Sequence, residues 1–281
     1  MRHGIVFPNT DVRSVPRLAA EAEEAGWDGV FVPDCINIPS AGPEMGYDPW
    51  VTLAAVAART SRVRFGTMIT PLSRRRPWKV ARETLTLDHL SEGRDILPVG
   101  LGALDDEGFG KVGEATGRRE RAELLDESLA IIDGLWRGEP FSFSGKHYTV
   151  EETTFLPRPV QQPRIPVWVV GAWPRERSLR RAIAWDGLLP NALNPDGSHG
   201  EITPALISEM AAWVAEHRTA TTPFDIVIED PTPADDPARA REIAREWADA
   251  GVTWLLESFW SGPNDPDTLR RRIHAGPPRV G

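Results

Sequence analysis

The sequence has very little cysteine, no long hydrophobic run and fewer positive than negative charges. Its single cysteine, Cys35, cannot form an internal disulfide. No stretch approaches 18 consecutive apolar residues, so no membrane span or membrane partner is expected. The opening residues MRHGIVFPNT show neither a long apolar segment nor a cleavage site, which together with the lone cysteine predicts a cytoplasmic protein.

The charge balance and the composition narrow the class of protein further. Lys and Arg number 32 against 41 Asp and Glu, a formal net charge of −9, which argues against a nucleic-acid partner. With 41% hydrophobic and 26% charged residues among 281, the chain has the composition of a globular protein. This length suits two ordinary domains or one large α/β barrel. We expect a single domain over residues 1–281.

Short apolar runs, rich in β-branched and aliphatic residues, recur along the chain and predict eight strands. They are Gly4–Pro8, Gly29–Pro33, Val63–Thr70, Asp95–Gly100, Pro166–Gly171, Gly187–Pro190, Phe224–Glu229 and Val252–Phe259. Their nearly continuous apolar character, without strict alternation, is typical of parallel strands that helices cover on the outside.

Helices are predicted between these strands. Four helix starts pair a small capping side chain with proline at the first helical position: Asp48-Pro49, Thr203-Pro204, Asp236-Pro237 and Asp265-Pro266. Glycine marks three helix ends, at Gly26, Gly251 and Gly276. The alternation of strands and helices, without a linker, predicts a (β/α)8 TIM barrel.

The connection between the fourth and fifth strands is longer than the others. It contains a helix over Arg119–Trp136 and then the alternating segment Pro140–Val150, which we interpret as a hairpin-like excursion outside the barrel.

In TIM barrels the active site lies at the carboxyl ends of the strands, so the residues at those ends are the candidates. They are Pro8 and Asn9; Asp34 and Cys35; Met68, Ile69 and Thr70; Gly102 and Ala103; Gly171, Ala172 and Trp173; Asn191; Asp230; and Glu257–Trp260.

Several segments in this order resemble the luciferase-like flavin-dependent oxidoreductases, which use FMN or the deazaflavin coenzyme F-420. The segments include GIVFP, EEAGWDGVFVPD, VRFGTMITPLSRRRPWKVARETLTLDHLSEGR, VGLG, FLPRPVQQPRIPVWVVGAWP and AWDGLLP. They cover about residues 3–190, and the final third of the chain matches weakly. The resemblance implies a bacterial-luciferase-like TIM barrel that binds the cofactor non-covalently.

The resemblance also implies two cofactor contacts. GTMIT occupies the position of the family's non-prolyl cis peptide behind the flavin ring, which assigns the bond to Met68-Ile69 and places Thr70 beside it. VVGAWPRER resembles the turn after the fifth strand that holds the cofactor phosphate. Amides of Gly171, Ala172 and Trp173 would bind the anion there, with Arg175 or Arg177 supplying charge.

Asp34 matches an aspartate that lies near the ring in F-420 enzymes of this family, although it could equally cap a loop amide. Cys35 stands where many relatives have histidine, so Asp34 and Cys35 are the only catalytic candidates. A cysteine moves protons near neutral pH only if its pKa is lowered, and a lone buried cysteine is usually a small apolar residue. Gly102 completes the cofactor-binding candidates.

The sequence departs from the family again at Ala103, where sugar-phosphate dehydrogenases have an acidic glutamate. Asp105, Asp106 and Glu107 lie close by, on what we interpret as a loop facing solvent. The basic run Arg74-Arg75-Arg76 either rims the cofactor entrance or forms a solvated turn, and we favour the turn. The six histidines are scattered without a metal-binding spacing, so no metal is expected.

The predicted function is therefore that of an oxidoreductase acting on a small organic substrate, by oxygenation with reduced FMN or by hydride transfer with coenzyme F-420. The FMN reaction would require a separate flavin reductase, and an F-420 reductase is the matching partner for the other cofactor. A non-catalytic flavin-binding protein and an unrelated TIM-barrel lyase or hydrolase are the alternatives. A homodimer is expected by resemblance only.

Overall fold

The structure is a computed structural model that describes residues 1–8, 10–39, 47–103, 105–258, 260 and 266–279. Its strands are β1 (Arg2–Val6), β2 (Gly29–Val32), β3 (Arg64–Thr67), β4 (Thr70–Pro71), β5 (Leu97–Gly100), β6 (Phe141–Ser144), β7 (Thr149–Thr153), β8 (Val167–Trp173), β9 (Gly187–Ala192), β10 (Asp225–Glu229) and β11 (Trp254–Glu257). Its α-helices are α1 (Val15–Glu24), α2 (Pro49–Arg59), α3 (Pro77–Ser91), α4 (Arg118–Trp136), α5 (Glu176–Ile183), α6 (Pro204–His217), α7 (Pro237–Asp249) and α8 (Pro266–His274).

Nine of these strands form a parallel sheet in the order β3-β2-β1-β11-β10-β9-β8-β5-β4. Because β3 and β4 are two segments of one predicted strand, the two edges of the sheet meet and the barrel closes. A parallel bridge between Phe65 and Asp95 joins β3 to the chain entering β5, and Thr70 pairs with Val99 on the other side of the interruption. The predicted TIM barrel and its eight strand positions are thus confirmed.

Two hydrophobic clusters separate the inside of the barrel from its outside. The inner cluster takes residues from every barrel strand or its immediate flank: Val6, Phe31, Met68, Ile96, Trp168, Leu189, Val227, Trp254 and Leu256. The outer cluster holds the alternate residues, such as Ile5 and Leu255, together with the apolar faces of the helices. Since side chains alternate along a strand, this division fixes which strand residues point inward.

Large aromatic side chains fill the lower part of the barrel interior. Trp168 lies 5.4 Å from Trp254 and 5.6 Å from Phe31 between ring centroids. Glycines opposite these rings make the space, since a Cβ at Gly187 would stand 2.4 Å from Trp168 and one at Gly29 would stand 2.9 Å from Trp254. The interior is therefore a packed core at this level.

The predicted helix boundaries are confirmed where they are described. The side chains of Asp48, Thr203 and Asp236 accept backbone N–H bonds from the first turns of α2, α6 and α7. Gly26, Gly251 and Gly276 have positive φ angles just after α1, α7 and α8. Helix α8 begins at Pro266, and the predicted cap Asp265 lies outside the described residues.

The predicted excursion is confirmed as an antiparallel hairpin of β6 and β7, separate from the barrel sheet. Glu127 of α4 accepts backbone N–H bonds from Lys146, His147 and Tyr148, which fixes the hairpin turn to that helix. In the part of the chain that the structure describes, every helix is too short or too polar to cross a membrane.

Candidate functional site

A cavity of about 270 Å³ opens at the carboxyl end of the barrel. Its described lining residues are Met68, Ile69, Val170, Leu189, Pro190, Ile202, Val227, Ile228 and Glu229. The described lining is apolar apart from one carboxylate. The cavity lies on the carboxyl side of the aromatic side chains, because its lining residue Val170 follows Trp168 by two residues on β8. This position and this mixture of surfaces are those of a ligand site in a TIM barrel.

The Met68-Ile69 bond, which separates β3 from β4, is a non-prolyl cis peptide. This prediction is confirmed, and both residues line the cavity. The Thr67 and Thr70 hydroxyls lie 2.7 Å apart and hydrogen-bond across the interruption. Thr70 is fully buried in the barrel wall. Its contact with a cofactor stays a prediction.

Glu229 is the one ionisable side chain among the described residues that line the cavity. It ends β10 two residues after Val227 of the inner cluster, so both side chains point into the barrel. The indole N–H of Trp260 donates to the Glu229 carboxylate at 2.7 Å, and the Ser258 hydroxyl also bonds to it. Although the cavity leaves the carboxylate accessible, protein surrounds it, and this desolvation raises the pKa of Glu229.

Sequence reasoning missed Glu229 and chose its neighbour Asp230. The Asp230 carboxylate accepts the indole N–H of Trp247 on α7 at 2.7 Å, outside the barrel. The two-residue alternation of Val227 and Glu229 within DIVIE was the signal that could have identified Glu229, once the inward face of β10 was assigned.

Asp34 lies just beyond β2 and is bound by two arginines. Arg75 makes a bidentate contact, with Nε 2.8 Å and the terminal nitrogen 2.6 Å from the carboxylate oxygens. Arg74 donates to the Asp34 backbone oxygen at 2.8 Å. The arginines balance the charge of the Asp34 carboxylate without any ligand. The predicted roles of Asp34 in cofactor binding and in catalysis stay predictions.

The interpretation of the basic run as a solvated turn was wrong for its first two residues. The side chain of Arg74 is 4% exposed and forms an ion pair with Asp106, so the solvent-facing interpretation was also wrong for Asp106. Burial raises the pKa of Asp106, but hydrogen bonds from Arg74, Gly108 and Asn37 outweigh it and lower the pKa overall. The three loops after β2, β4 and β5 are thereby joined by one charged cluster, Asp34-Arg75-Arg74-Asp106.

Cys35 follows Asp34 and lies beside a small cavity, and its role in catalysis stays a prediction. Burial, reinforced by the nearby Asp106 carboxylate, raises the pKa of the thiol to about 12. The thiol therefore stays protonated near neutral pH and lies among apolar residues such as Phe7, Val32 and Pro49. A structural role as a small apolar residue fits these surroundings.

The turn after β8 combines packing with polar contacts. A Cβ at Gly171 would stand 2.3 Å from Leu188, so glycine is required for close contact with β9. The Ala172 amide already donates to the Ser178 hydroxyl at 3.0 Å. Trp173 ends β8, and Arg177 in the first turn of α5 is exposed with Asp126 at 4.0 Å. The first amides of α5 and Arg177 remain suited to an anion, and phosphate binding here stays a prediction.

Gly102 adopts a φ of +81°, and a Cβ there would stand 2.8 Å from the Phe109 ring. The loop after β5 therefore requires glycine at this point, whether or not a cofactor contacts it. Ala103 next to it is exposed. The Asn191 amide oxygen accepts a hydrogen bond from Nδ1 of the His199 ring at 2.9 Å, and Asn9 and Phe259 lie outside the described residues.

The chain resembles known proteins in both sequence and fold. The family described as luciferase-like monooxygenase matches residues 2–277. A coenzyme F-420-dependent glucose-6-phosphate dehydrogenase of Beutenbergia cavernae is 32% identical over 261 residues, covering 91% of this chain and 74% of that protein.

Two solved structures extend the comparison. An F-420-dependent secondary alcohol dehydrogenase, in complex with an F-420-acetone adduct, has a TM-score of 0.79 at 16% identity and covers 98% of this chain and 97% of that one. A monooxygenase from Streptomyces bottropensis has a TM-score of 0.70 at 25% identity, covering 89% and 77% of the two chains. The first supports the fold alone, because its identity is low.

Proposed function

Since the chain belongs to the luciferase-like monooxygenase family, we propose that it is an oxidoreductase that transfers a hydride between coenzyme F-420 and a small organic substrate. The observation that carries this proposal is the largely apolar cavity at the carboxyl end of the barrel, which Met68, Ile69 and Val170 line. The choice of F-420 is supported by the similarity to the F-420-dependent dehydrogenase of Beutenbergia cavernae.

The residues of the cavity fit a flat, largely apolar ring. Met68 and Ile69 would support one face of the ring, while Val170, Leu189 and Ile202 would keep water away from it. The amino end of α5 with Arg177 would bind the cofactor phosphate. When bound, the deazaflavin supplies the hydride chemistry, and the protein supplies orientation and a dry environment.

Oxygenation with reduced FMN is the second candidate, favoured by the 25% identity to the Streptomyces bottropensis monooxygenase. It would require a separate flavin reductase, whereas the F-420 reaction can be coupled to any enzyme that reduces or oxidises F-420. A homodimer, the pattern expected from the family resemblance, remains part of this proposal and can be measured by light scattering.

The test is equilibrium binding of F-420, oxidised FMN and reduced FMN, followed by ring fluorescence and calorimetry. We expect F-420 to bind more tightly than either form of FMN. The variant Ile202→Trp, which fills the cavity, should weaken binding at least about tenfold. Val51→Trp, on the exposed face of α2, is the matched control and should bind like the wild type.

Each outcome has a clear meaning for the two candidates. Selective binding of reduced FMN, with consumption of oxygen, would replace hydride transfer by oxygenation. Binding of none of the three would remove both functions while leaving the barrel intact.

A further inference from the structure

Among the residues that the structure describes, Glu229 is the one carboxylate that faces the largely apolar cavity at the end of β10. Four other described carboxylates at or near strand ends are engaged elsewhere: Asp34, Asp106 and Glu257 bind arginines, and Asp230 binds Trp247. Resting on the proposed function, we propose that Glu229 is the catalytic residue that exchanges the hydroxyl proton of an uncharged alcohol or carbonyl substrate.

The position of Glu229 gives it access to a substrate. It lies on the inner face of β10, in the same cavity as Met68 and Ile69 of the cis peptide, on which the ring of the cofactor would rest. A substrate held between that ring and β10 would be in reach of the Glu229 carboxylate. Rigid strands carry both parts of the site, which keeps their geometry constant.

The surroundings of Glu229 keep its proton exchangeable. Its described partners are neutral donors, the Trp260 indole and the Ser258 hydroxyl, in contrast to the arginines that hold Asp34. The elements packed around the cavity contribute Val170 from β8, Leu189 and Pro190 from β9, and Leu256 from β11, none of them charged. Desolvation by the surrounding protein, without a neighbouring cation among the described partners, raises the pKa of Glu229, which is the direction that favours a general acid–base residue.

The same surroundings select the substrate. No lysine, arginine or histidine is among the described residues that line the cavity, so a phosphate or carboxylate on the substrate would find no counter-charge. It would also be repelled by ionised Glu229. The cavity thus suits an uncharged, largely apolar alcohol or ketone, and it disfavours sugar phosphates such as glucose-6-phosphate.

In the direction of oxidation, the C–H bond of the carbinol carbon would break and its electron pair would leave as hydride, for which a bound oxidised deazaflavin would be the acceptor. The O–H bond breaks at the same time, its proton passes to the Glu229 carboxylate, and the C–O bond becomes C=O. The substrate loses two electrons and the deazaflavin gains two. In the reverse direction, protonated Glu229 returns the proton to the carbonyl oxygen.

The first test follows the indole ¹⁵N–¹H signal of Trp260 with pH in the cofactor-free protein, assigned by its loss in Trp260→Phe. We expect the signal to titrate with the ionisation of Glu229 above the ordinary carboxyl range, and to stop titrating in Glu229→Gln. A signal that does not move between pH 4 and 9 in the wild type would contradict the proposal.

The second test measures F-420 affinity and turnover with cyclohexanol and with glucose-6-phosphate. Glu229→Gln should bind F-420 as the wild type does, oxidise cyclohexanol about 10²- to 10⁴-fold more slowly and lose the acidic limb of the rate profile. Glu229→Asp should restore part of the rate. Asp230→Asn, the adjacent carboxylate outside the barrel, is the matched control and should leave the rate unchanged.

The two tests separate this proposal from the function on which it rests. Failure of the wild type to bind F-420 would count against the proposed function. Normal F-420 binding, with equal cyclohexanol turnover by wild type and Glu229→Gln, would count against Glu229 alone. A preference for glucose-6-phosphate over cyclohexanol would overturn the substrate class. If Glu229→Gln does not fold, the wild-type indole titration and the wild-type rate profile still decide the question.

Discussion

Glu229 and Glu257 end neighbouring strands of the same barrel, yet their surroundings differ completely. Glu257 of β11 is fully buried on the outer side, where Arg272 of α8 donates to both of its oxygens at 2.6 and 3.1 Å and the Thr232 amide adds a bond at 3.0 Å. Glu229 of β10 opens into the cavity and has neutral partners. The two carboxylates differ because Glu257 faces a helix that carries a cation, whereas Glu229 faces the barrel interior, where its described partners are neutral.

The largest expected effect comes from removing the cation beside Glu257. Arg272→Met leaves the buried carboxylate without its counter-charge, which should lower the free energy of unfolding by about 3–5 kcal/mol. Urea unfolding at pH 7 measures the change. The double variant Arg272→Met/Glu257→Met should be more stable than the single variant, because no unpaired charge remains. A loss below about 1 kcal/mol in the single variant would mean that Glu257 is as independent of a cation as Glu229.

His3 offers a third buried ionisable group, at the start of β1 and away from the cavity. It is 1% exposed, and neither ring nitrogen has a hydrogen-bond partner in the described structure. Burial lowers the pKa of His3 from 6.5 to about 4, only partly offset by Asp28. Between those values the unfolded chain binds a proton that the folded chain excludes, so stability falls as pH drops below 6.5.

The expected loss from His3 is about 3 kcal/mol between pH 6.5 and 4. Urea unfolding at several pH values measures the free energy of unfolding. Between pH 6.5 and 4 it should fall more steeply in the wild type than in His3→Phe, which has no titrating ring. A constant offset between the two proteins would instead reflect packing. Equal slopes would show that the buried histidine is solvated in the folded state.

The smallest effect concerns Glu229 itself, whose folded pKa lies above the ordinary value of 4.5. Between the ordinary and the raised value, the folded protein keeps a proton that the unfolded chain has released. Stability should therefore fall as pH rises through this window, and Glu229→Gln should remove that decline. The difference in unfolding free energy between the two proteins should therefore change with pH. A difference independent of pH would mean that the pKa of Glu229 is the same in the folded and unfolded protein.

The barrel was predictable from local sequence, whereas the cis peptide was predictable only from the family resemblance. Apolar runs define parallel strands, and prolines after small capping residues define helix starts such as that of α2 at Pro49. The cis bond at Met68-Ile69 came from resemblance, since no local propensity predicts one outside prolyl bonds. The loop arginines and the acidic loop were misjudged because Arg74 and Asp106 are 32 residues apart and their pairing depends on the closed barrel.

The sequence by itself determined the order of strands and helices, the helix boundaries and the family. Only the tertiary structure decided which charged residues are paired and which one faces the cavity, because a charge on a strand end is buried or free according to the neighbours that closure of the barrel places around it. A shift of one residue separates Glu229 inside from Asp230 outside, and the strand must be placed in the barrel before its inward face is known.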